Sequence, residues 1–371
     1  MTGEPARDPG VGRAALFGTA FRVLIIVVTG MYLAFGLLTA SRTLGCDFLA
    51  YHNAAQRLLA GEPIYDLSIT QTGGCGLYQY PPPFVLVALP FSLLGFGWGT
   101  WAWIGFLVAC FVGGAMLMPV RREIRWAMVL AGGVSWPFIY GVRIGQVGPI
   151  LLLVFALGWR FLDRPRIVGL AAGIGTLVKL QPALILGWLA VRREWQALVW
   201  ALATIAGVAA LAAAVGLGAW LDFAALLRNL TNALTVPANL SIGAVAYAYG
   251  ASPAVAAGIQ SANIVVLLAV VVVVASRTTR EAGYLATIVA SQVISPIVWD
   301  HYALVLLLPV AWLLERRQWW AVLVPLSQAW VLLPFVPTIA YPIAFYATLA
   351  GVIAVGWVRE PRPALTPAVA A

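Results

Sequence analysis

Residues Val23–Ala40 read VLIIVVTGMYLAFGLLTA, a segment of 18 residues without a charged side chain. At 1.5 Å per residue this segment nearly crosses a hydrocarbon core of about 30 Å, so it predicts a transmembrane helix. It is longer than the apolar part of a secretory signal, and no clear cleavage site follows it. Arg22 precedes it and can extend its guanidinium to the membrane interface. We therefore expect residues 1–22 to form a cytoplasmic tail before the first membrane helix.

The composition extends this interpretation to the whole chain. Of its 371 residues, 62% are hydrophobic and only 9% are charged, against about 25% charged residues in a soluble domain. The mean hydropathy is +0.94. These values exclude soluble globular, disordered and collagen-like proteins. The sequence predicts an all-α polytopic transmembrane bundle, with roughly ten to thirteen membrane helices in a single integral membrane domain over residues 1–371.

Twelve further apolar runs follow the first, and three polar segments lie outside them. The polar segments are a first outer loop at 41–80, a second outer segment at 220–243 and a tail at 358–371. Several apolar runs are too short to span a membrane and are broken by Gly or Pro, which is typical of half-helices around a polar cavity. The runs are 84–96, 99–118, 126–140, 146–161, 167–178, 182–191, 196–219, 253–276, 282–298, 299–314, 318–334 and 338–357.

The net charge of +9 comes from arginines that cluster between apolar runs. This spacing indicates cytoplasmic loops of a membrane protein, and we expect no nucleic-acid partner. One lysine against many arginines, with much alanine and glycine, suggests a GC-rich genome and a bacterial cytoplasmic membrane. The number of membrane crossings between Tyr80, expected outside, and the cluster at 121–125 is ambiguous. Either one of the two runs there does not cross the membrane, or this cluster lies outside.

Asp47 is a candidate general base in the first outer loop. Partial burial at the membrane rim raises the pKa of a carboxylate into a range useful for accepting a proton from a hydroxyl. The alternative is a helix N-cap, a position that Asp favours. The following residues predict an amphipathic interfacial helix from Leu49 to Leu59, with Leu49, Ala55, Leu58 and Leu59 on its apolar face.

Three polar residues interrupt later apolar runs and are expected on the same side as Asp47. Lys179, the only lysine, precedes a helix break at Pro182 and is a candidate phosphate ligand; the alternative is a lysine that snorkels from a short helix. Arg143 is a candidate second phosphate ligand. Gln146 is a candidate for hydrogen bonding to a sugar, or alternatively to the start of a helix.

His301 and two cysteines complete the candidate residues. His301 follows Asp300 between two apolar runs and needs polar partners there, either in a site or at a structural junction. With only two histidines and no metal-ligand spacing, we expect no zinc site. In an oxidising compartment Cys46 and Cys75 are expected to form a disulfide that restrains the loop by about 3–4 kcal/mol; otherwise they are free thiols.

Short motifs in this order along the chain resemble glycosyltransferase family 87, the polyprenyl-phosphate-mannose-dependent mannosyltransferases of the GT-C superfamily. Each motif is weak singly, and the ordered set from residue 47 to 301 is fairly specific. Cys46 and Cys75 depart from the family pattern. The motifs are Asp47-Phe48-x-x-Tyr51-x-x-Ala54-Ala55, Gly61-x-Pro63-x-Tyr65, Tyr78-x-Tyr80-Pro81-Pro82, Gly145-Gln146, Lys179-x-x-Pro182 with Arg192-Arg193-x-Trp195, Asn239-Leu-Ser241 and Ser295-Pro296-x-x-Trp299-x-His301.

The resemblance implies a reaction on the outer membrane face. A polyprenyl-phosphate sugar, mannose first, is the expected donor, and a lipid-linked glycan or glycolipid is the expected acceptor. Transfer inverts the anomeric carbon in a single displacement, without a cofactor or an obligatory metal. The resemblance assigns Asp47 as the base and three residues to the donor phosphate: Lys179, Arg143 and His301. It assigns six residues to sugar or acceptor binding: Tyr51, Tyr78, Tyr80, Gln146, Asn239 and Trp299.

Two other functions remain open from the sequence. A transporter or flippase of a lipid-linked sugar predicts paired broken helices in two related halves, and the break at Pro182 has no clear mate. A non-catalytic scaffold in contact with membrane lipids has no need of Lys179, the Asp300–His301 pair and Gln146 together.

Overall fold

The structure, a computed structural model, describes residues 9–68, 75–211, 216, 218–229 and 233–358. Over these ranges the chain is helical and has no strands, so the predicted all-α membrane class is confirmed. The ends of the expected tails, 1–8 and 359–371, lie outside the described residues, and α1 begins within the first tail. The α-helices are α1 (Pro9–Leu38), α2 (Cys46–Leu59), α3 (Phe84–Ser92), α4 (Gly95–Leu117), α5 (Arg122–Gly133), α6 (Trp136–Ile144), α7 (Gly148–Arg160), α8 (Pro165–Val178), α9 (Leu184–Val191), α10 (Trp195–Leu211), α11 (Gly218–Asn229), α12 (Ile242–Ala248), α13 (Pro253–Arg277), α14 (Arg280–Val293), α15 (Leu307–Glu315), α16 (Leu323–Leu326) and α17 (Ala340–Gly356).

Full-length membrane spans are fewer than the apolar runs suggested. Among the described helices, Gly18–Leu38 of α1, α4 and α13 are long and apolar enough to cross a membrane. Helices α6 and α7 reach that length only together, and they bend by 118° at their junction. The expected ten to thirteen membrane helices counted apolar runs, and most of these runs form shorter helices because Gly and Pro interrupt them.

Arginine clusters from several loops meet at one end of the bundle. Arg280, at the start of α14, forms ion pairs of 3.3 Å with Asp163 before α8 and 2.8 Å with Glu194 before α10. One guanidinium thereby joins three connections between helices. We call this end, formed by the clusters at 121–125, 164–166, 192–193, 277–280 and 316–317, the arginine face.

The cluster at 121–125 belongs to the same face as the other arginine clusters. Arg121 lies 3.2 Å from Glu315, and the adjacent Arg316 lies 2.6 Å from Glu281 of α14. Between Tyr80 and this cluster, α3 has nine residues and extends about 14 Å, too short to cross a membrane. The 23-residue α4 is long and apolar enough to cross, which favours the alternative that one of the two apolar runs does not cross.

Helix α4 connects the arginine face to the opposite end, which we call the cavity end. Near its start Gly99 packs against the ring of Phe48 in α2, and near its end the Met116 carbonyl accepts a 3.0 Å hydrogen bond from Arg125. Its 23 residues extend about 34 Å. The first outer loop and the arginine clusters therefore lie at opposite ends of the bundle.

Helices α8 and α9 form a turn whose tip lies at the cavity end. Gly169 and Gly173 of α8 face the carbonyls of Ala197 and Ala201 of α10, and only a glycine permits this close approach. The matching order shows that α8 and α10 run parallel, so α9 must return between them. Lys179 lies at the end of α8, at the tip of this turn.

The outer-loop helix differs from the prediction in its start and its buried face. Helix α2 begins at Cys46, and its buried residues include Phe48, Tyr51 and Ala55. Leu59, expected on the apolar face, is 53% exposed. The aromatic rings determine which face of α2 is buried, because Phe48 and Tyr51 both pack on Trp103 of α4.

Candidate active site

A cavity of about 730 Å³ lies at the cavity end, between the first outer loop and the helix breaks. Its wall comes from α2, the segment after Cys75, the α6–α7 junction, the tip after α8, α11 and the segment 294–302. Its polar and aromatic lining includes Asp47, Tyr51, Gln79, Tyr80, Tyr140, Gln146, Lys179, Gln181, Phe223, Ser295, Trp299, His301 and Tyr302.

Asp47 lies in the first turn of α2, and the helix dipole there favours a negative charge. The helix N-cap is Gly45, and no side chain caps the helix, so the alternative of Asp47 as an N-cap is wrong. Its carboxylate instead accepts a 2.5 Å hydrogen bond from the Gln146 side-chain amide. The half-buried carboxylate thus faces the cavity with an oriented partner.

A chain of hydrogen bonds fixes the orientation of Gln146. Its side-chain oxygen accepts from the Tyr80 hydroxyl at 2.7 Å and from the Val147 backbone N–H at 2.9 Å. Tyr51 in turn donates to the Tyr80 hydroxyl at 2.9 Å. With its oxygen held by two donors, the amide group presents its N–H to Asp47. Gln146 therefore contacts the carboxylate and the start of α7 together.

The bend between α6 and α7 positions Gln146 beside α2. Gly145 ends α6 in the left-handed region, with φ of 88°, which glycine adopts without strain. A Cβ atom at Gly145 would lie 2.9 Å from the Cβ of Phe48, too close for any other residue without movement. The Gly145 carbonyl also accepts a 2.8 Å hydrogen bond from Trp103. The Gly145-Gln146 pair thus allows the junction between α6 and α7 to contact the start of α2, where Asp47 lies.

The environment of Asp47 changes its acidity. Burial disfavours the charged carboxylate and raises the pKa of Asp47 from the ordinary 3.8 to about 6, while the positive charge of Lys179 acts in the opposite direction. A carboxylate with this pKa is ionised at neutral pH and is a stronger base than an exposed aspartate.

Lys179 and His301 line the same cavity. The Lys179 ammonium lies 3.8 Å from the centre of the Tyr302 ring, which is a cation–π contact. His301 is 4% exposed, and neither ring nitrogen makes a hydrogen bond to the described residues. Its Nδ1 lies 3.5 Å from Asp300, whose other oxygen accepts from Trp136 at 2.6 Å. A buried imidazole without a partner is costly unless a ligand or water satisfies it.

Three predicted site residues do not line this cavity. Arg143 donates to the Thr43 hydroxyl at 2.7 Å behind the wall. Tyr78 donates to the Pro81 carbonyl at 3.1 Å and lines a neighbouring cavity. Asn239 donates to two backbone carbonyls and accepts from two backbone N–H groups, so it fastens residues 233–241 to residues 296–298. Ligand contacts by these three residues stay predictions.

Cys46 and Cys75 form a disulfide with a Cα–Cα distance of 4.8 Å. Cys46 precedes Asp47, and Cys75 precedes the segment that carries Tyr78 and Tyr80. The bridge therefore fastens the start of α2 to the neighbouring segment of the cavity wall.

Sequence reasoning missed Tyr140, Gln181 and Tyr302 in the lining. Gln181 had a signal, because it stands between Lys179 and Pro182 in the broken helix. Its buried side-chain oxygen has no hydrogen-bond partner among the described residues. Tyr140 and Tyr302 had no distinguishing signal in the sequence, since aromatic residues are frequent throughout the chain. The described ranges contain no group of three or more His, Cys, Asp or Glu residues able to hold a metal ion.

Comparison with known proteins identifies the family of the chain. The family model described as glycosyltransferase family 87 matches residues 78–299, more than half of the chain. The match includes Tyr80, Gln146 and Lys179; Asp47 precedes it and His301 follows it. No curated protein matches the chain. The chain is a multi-pass membrane protein that belongs to glycosyltransferase family 87.

Proposed function

We propose that this glycosyltransferase moves mannose from a polyprenyl-phosphate donor to a hydroxyl of a lipid-anchored glycan or glycolipid. The observation that carries the proposal is that Asp47 and Lys179 line the same cavity. Their charges interact, yet the two side chains form no ion pair within 4.0 Å among the described contacts. A carboxylate and an ammonium that line one cavity without forming an ion pair suit a reaction with a proton to accept and a negative charge to stabilise.

The proposed reaction is a single displacement at the anomeric carbon. The acceptor hydroxyl oxygen attacks C1 of the sugar, and its proton passes to the Asp47 carboxylate. The bond between C1 and the phosphate oxygen breaks, and its electron pair leaves with the polyprenyl phosphate. Attack from the face opposite the leaving group inverts the configuration. The leaving phosphate gains a negative charge, which Lys179 stabilises as a point charge.

Other lining residues support these two groups. Gln146, held by Tyr80, orients the Asp47 carboxylate and stabilises its ionised form. His301 supplies a donor to the phosphate from its unpartnered ring, and Arg143 adds positive charge from behind the wall. Trp299, Tyr80 and Tyr51 offer aromatic surface to sugar rings. Asn239 keeps Trp299 in place through its bonds to residues 296 and 298, and Tyr78 supports Tyr80.

We propose that the arginine face is cytoplasmic and that the cavity opens on the outer side of a bacterial cytoplasmic membrane. The positive-inside rule supports this orientation, because the arginine clusters meet at the end opposite the cavity. The polyprenyl tail then lies in the bilayer beside the bundle, and its phosphate enters the cavity at the membrane rim.

The test is transfer of labelled sugar by the purified protein in lipid. Polyprenyl-phosphate-[¹⁴C]mannose serves as donor and a membrane glycolipid extract as acceptor. Wild type is expected to label the acceptor, and Asp47→Asn is expected to lower kcat by about 10²–10⁴-fold because it removes the base. Asp163→Asn, the same substitution at an exposed position on the arginine face, is the matched control and is expected to retain transfer.

The outcomes separate the enzyme from the alternatives. Equal transfer by wild type and Asp47→Asn contradicts the role of Asp47 and keeps the enzyme. Movement of the intact labelled donor between bilayer leaflets, without transfer to any acceptor, contradicts the proposed reaction and indicates a flippase.

A further inference from the structure

A second cavity, of about 340 Å³, adjoins the first on the outer loop. It has no role in the proposed transfer step. Its polar lining includes Asn53, Arg57 and Asp66, and Tyr78 contributes an aromatic wall.

Both cavities lie along one face of α2. Asp47, Ala50, Ala54 and Arg57 follow helical spacing of three or four residues, and each lines one cavity or both. The ten residue-to-residue steps from Asp47 to Arg57 correspond to about 15 Å along the helix axis. A ligand that extends from the carboxylate of Asp47 along this face reaches the guanidinium of Arg57.

The cavities meet where the segment after Cys75 crosses α2. Ala50, Gly76 and Leu77 line both. The disulfide from Cys46 fixes this segment, and Gly76, with φ of 92°, lets it turn against Asn53. The boundary between the cavities is therefore a single chain segment rather than a packed layer.

The side chains of the second cavity suit a neutral ligand rich in hydroxyl groups. Arg57 is 3.8 Å from Glu62 and 3.9 Å from Asp66, too far for hydrogen bonds, and its guanidinium makes none within the described residues. Asn53 is exposed and offers both a donor and an acceptor. The Asp66 carboxylate disfavours an anion beside Arg57. Paired donors and acceptors of this kind match adjacent sugar hydroxyls, with Tyr78 as an apolar surface.

We propose that the second cavity is a subsite for the sugar of the acceptor next to the one that carries the reacting hydroxyl. This inference rests on the proposed function, because it takes Asp47 to mark the reacting end. It gives the enzyme a preference for acceptors with at least two sugars.

Native mass spectrometry of the purified protein tests binding without requiring turnover. The probes are octyl α-mannoside, with one sugar, and octyl α-mannobioside, with two. Wild type is expected to bind the two-sugar probe about tenfold more tightly, the gain of a few hydrogen bonds. Arg57→Ala and, independently, Asn53→Ala are expected to remove most of this preference. Arg42→Ala is the matched control, since Arg42 is exposed in the same loop and lines neither cavity.

Equal binding of both probes by wild type, or an unchanged preference in both subsite variants, overturns the subsite. The transfer assay stays separate: absence of transfer by wild type that still prefers the two-sugar probe contradicts the proposed function and leaves the subsite standing.

Discussion

The arginine face and the cavity end use their charges in opposite ways. On the arginine face, Arg280, Arg316 and Arg121 all pair with carboxylates within 2.6–3.3 Å. At the cavity end, Lys179 contacts an aromatic ring and Asp47 accepts from an amide. Paired charges hold loops together and contribute modestly to stability. Charges that are buried and left without a counter-ion cost stability and are available to a ligand.

Removing one cation from each end gives the largest expected contrast. Lys179→Gln is expected to lower kcat by about 10²–10³-fold, because the leaving phosphate loses its nearest positive charge. Arg280→Gln removes a cation that has two carboxylate partners at the other end and is expected to leave transfer unchanged. Initial rates with labelled donor measure both. Loss of transfer in both variants, or in neither, contradicts the division of roles.

The disulfide is expected to give the next largest effect, and it belongs to the cavity end alone. Cys46 and Cys75 are 29 residues apart, and closing such a loop restrains the unfolded chain by about 3–4 kcal/mol. Reductant is expected to lower the thermal unfolding midpoint of wild type. Cys110→Ala, which removes the free cysteine of α4, is expected to respond as wild type does. The double variant Cys46→Ser/Cys75→Ser is expected to have a lower thermal midpoint than wild type in the absence of reductant. Reductant is expected not to change the midpoint of this variant. An unchanged wild-type midpoint in reductant contradicts this prediction.

Asp47 is expected to lower stability while it supports the reaction. Its pKa of about 6 exceeds the ordinary 3.8, so the folded state holds the proton more tightly than the unfolded state does. Ionisation of Asp47 therefore lowers the free energy of unfolding. This loss is absent below about pH 4, grows between pH 4 and 6, and reaches about 3 kcal/mol above pH 6. Asp47→Asn is therefore expected to raise the thermal midpoint at pH 7.5 and to leave it unchanged at pH 4. A lower midpoint at pH 7.5 refutes the prediction.

Gln146 is expected to set the pH range of transfer. For wild type, kcat/KM should fall below about pH 6, where Asp47 becomes protonated. Gln146→Leu removes the hydrogen bond that favours the carboxylate, so the pKa of Asp47 rises and the acid limb moves up by about one pH unit. Gln318→Leu on the arginine face is the control and should keep the wild-type profile. A lower rate without a shift of the acid limb indicates that Gln146 acts on the sugar instead.

The sequence predicted the class of the fold and several cavity residues for physical reasons. Apolar runs and arginine clusters report solvent preference, which is local, and they sufficed for the membrane class, while the side of the cluster at 121–125 stayed open. Lys179 was noticeable because a cation in an apolar run is rare. The same runs overestimated the continuous spans, because the sequence does not show whether a helix continues or bends by 118° at Gly145.

The contacts of the site depend on tertiary packing and were out of reach. Gln146 was a candidate sugar ligand, but its bond to Asp47 joins residues 99 positions apart in the chain. Asn239 has a side chain that suits a sugar ligand, but it forms four hydrogen bonds with the backbone, and these depend on the position of residues 296–298. The second cavity arises because a segment of the loop crosses α2, and no local pattern encodes that crossing.

The smallest expected effect comes from Asp163→Asn on the arginine face, the same substitution as at Asp47. The Asp163 side chain is fully exposed, and its single partner, Arg280, keeps Glu194 at 2.8 Å. Water screens such a pair, so the thermal midpoint should change little. Thermal midpoints in 50 mM and 500 mM salt check this, and any difference from wild type should disappear at high salt. A large loss that persists in high salt would show that the arginine face needs this ion pair for its structure, as the cavity end needs Asp47 for its chemistry.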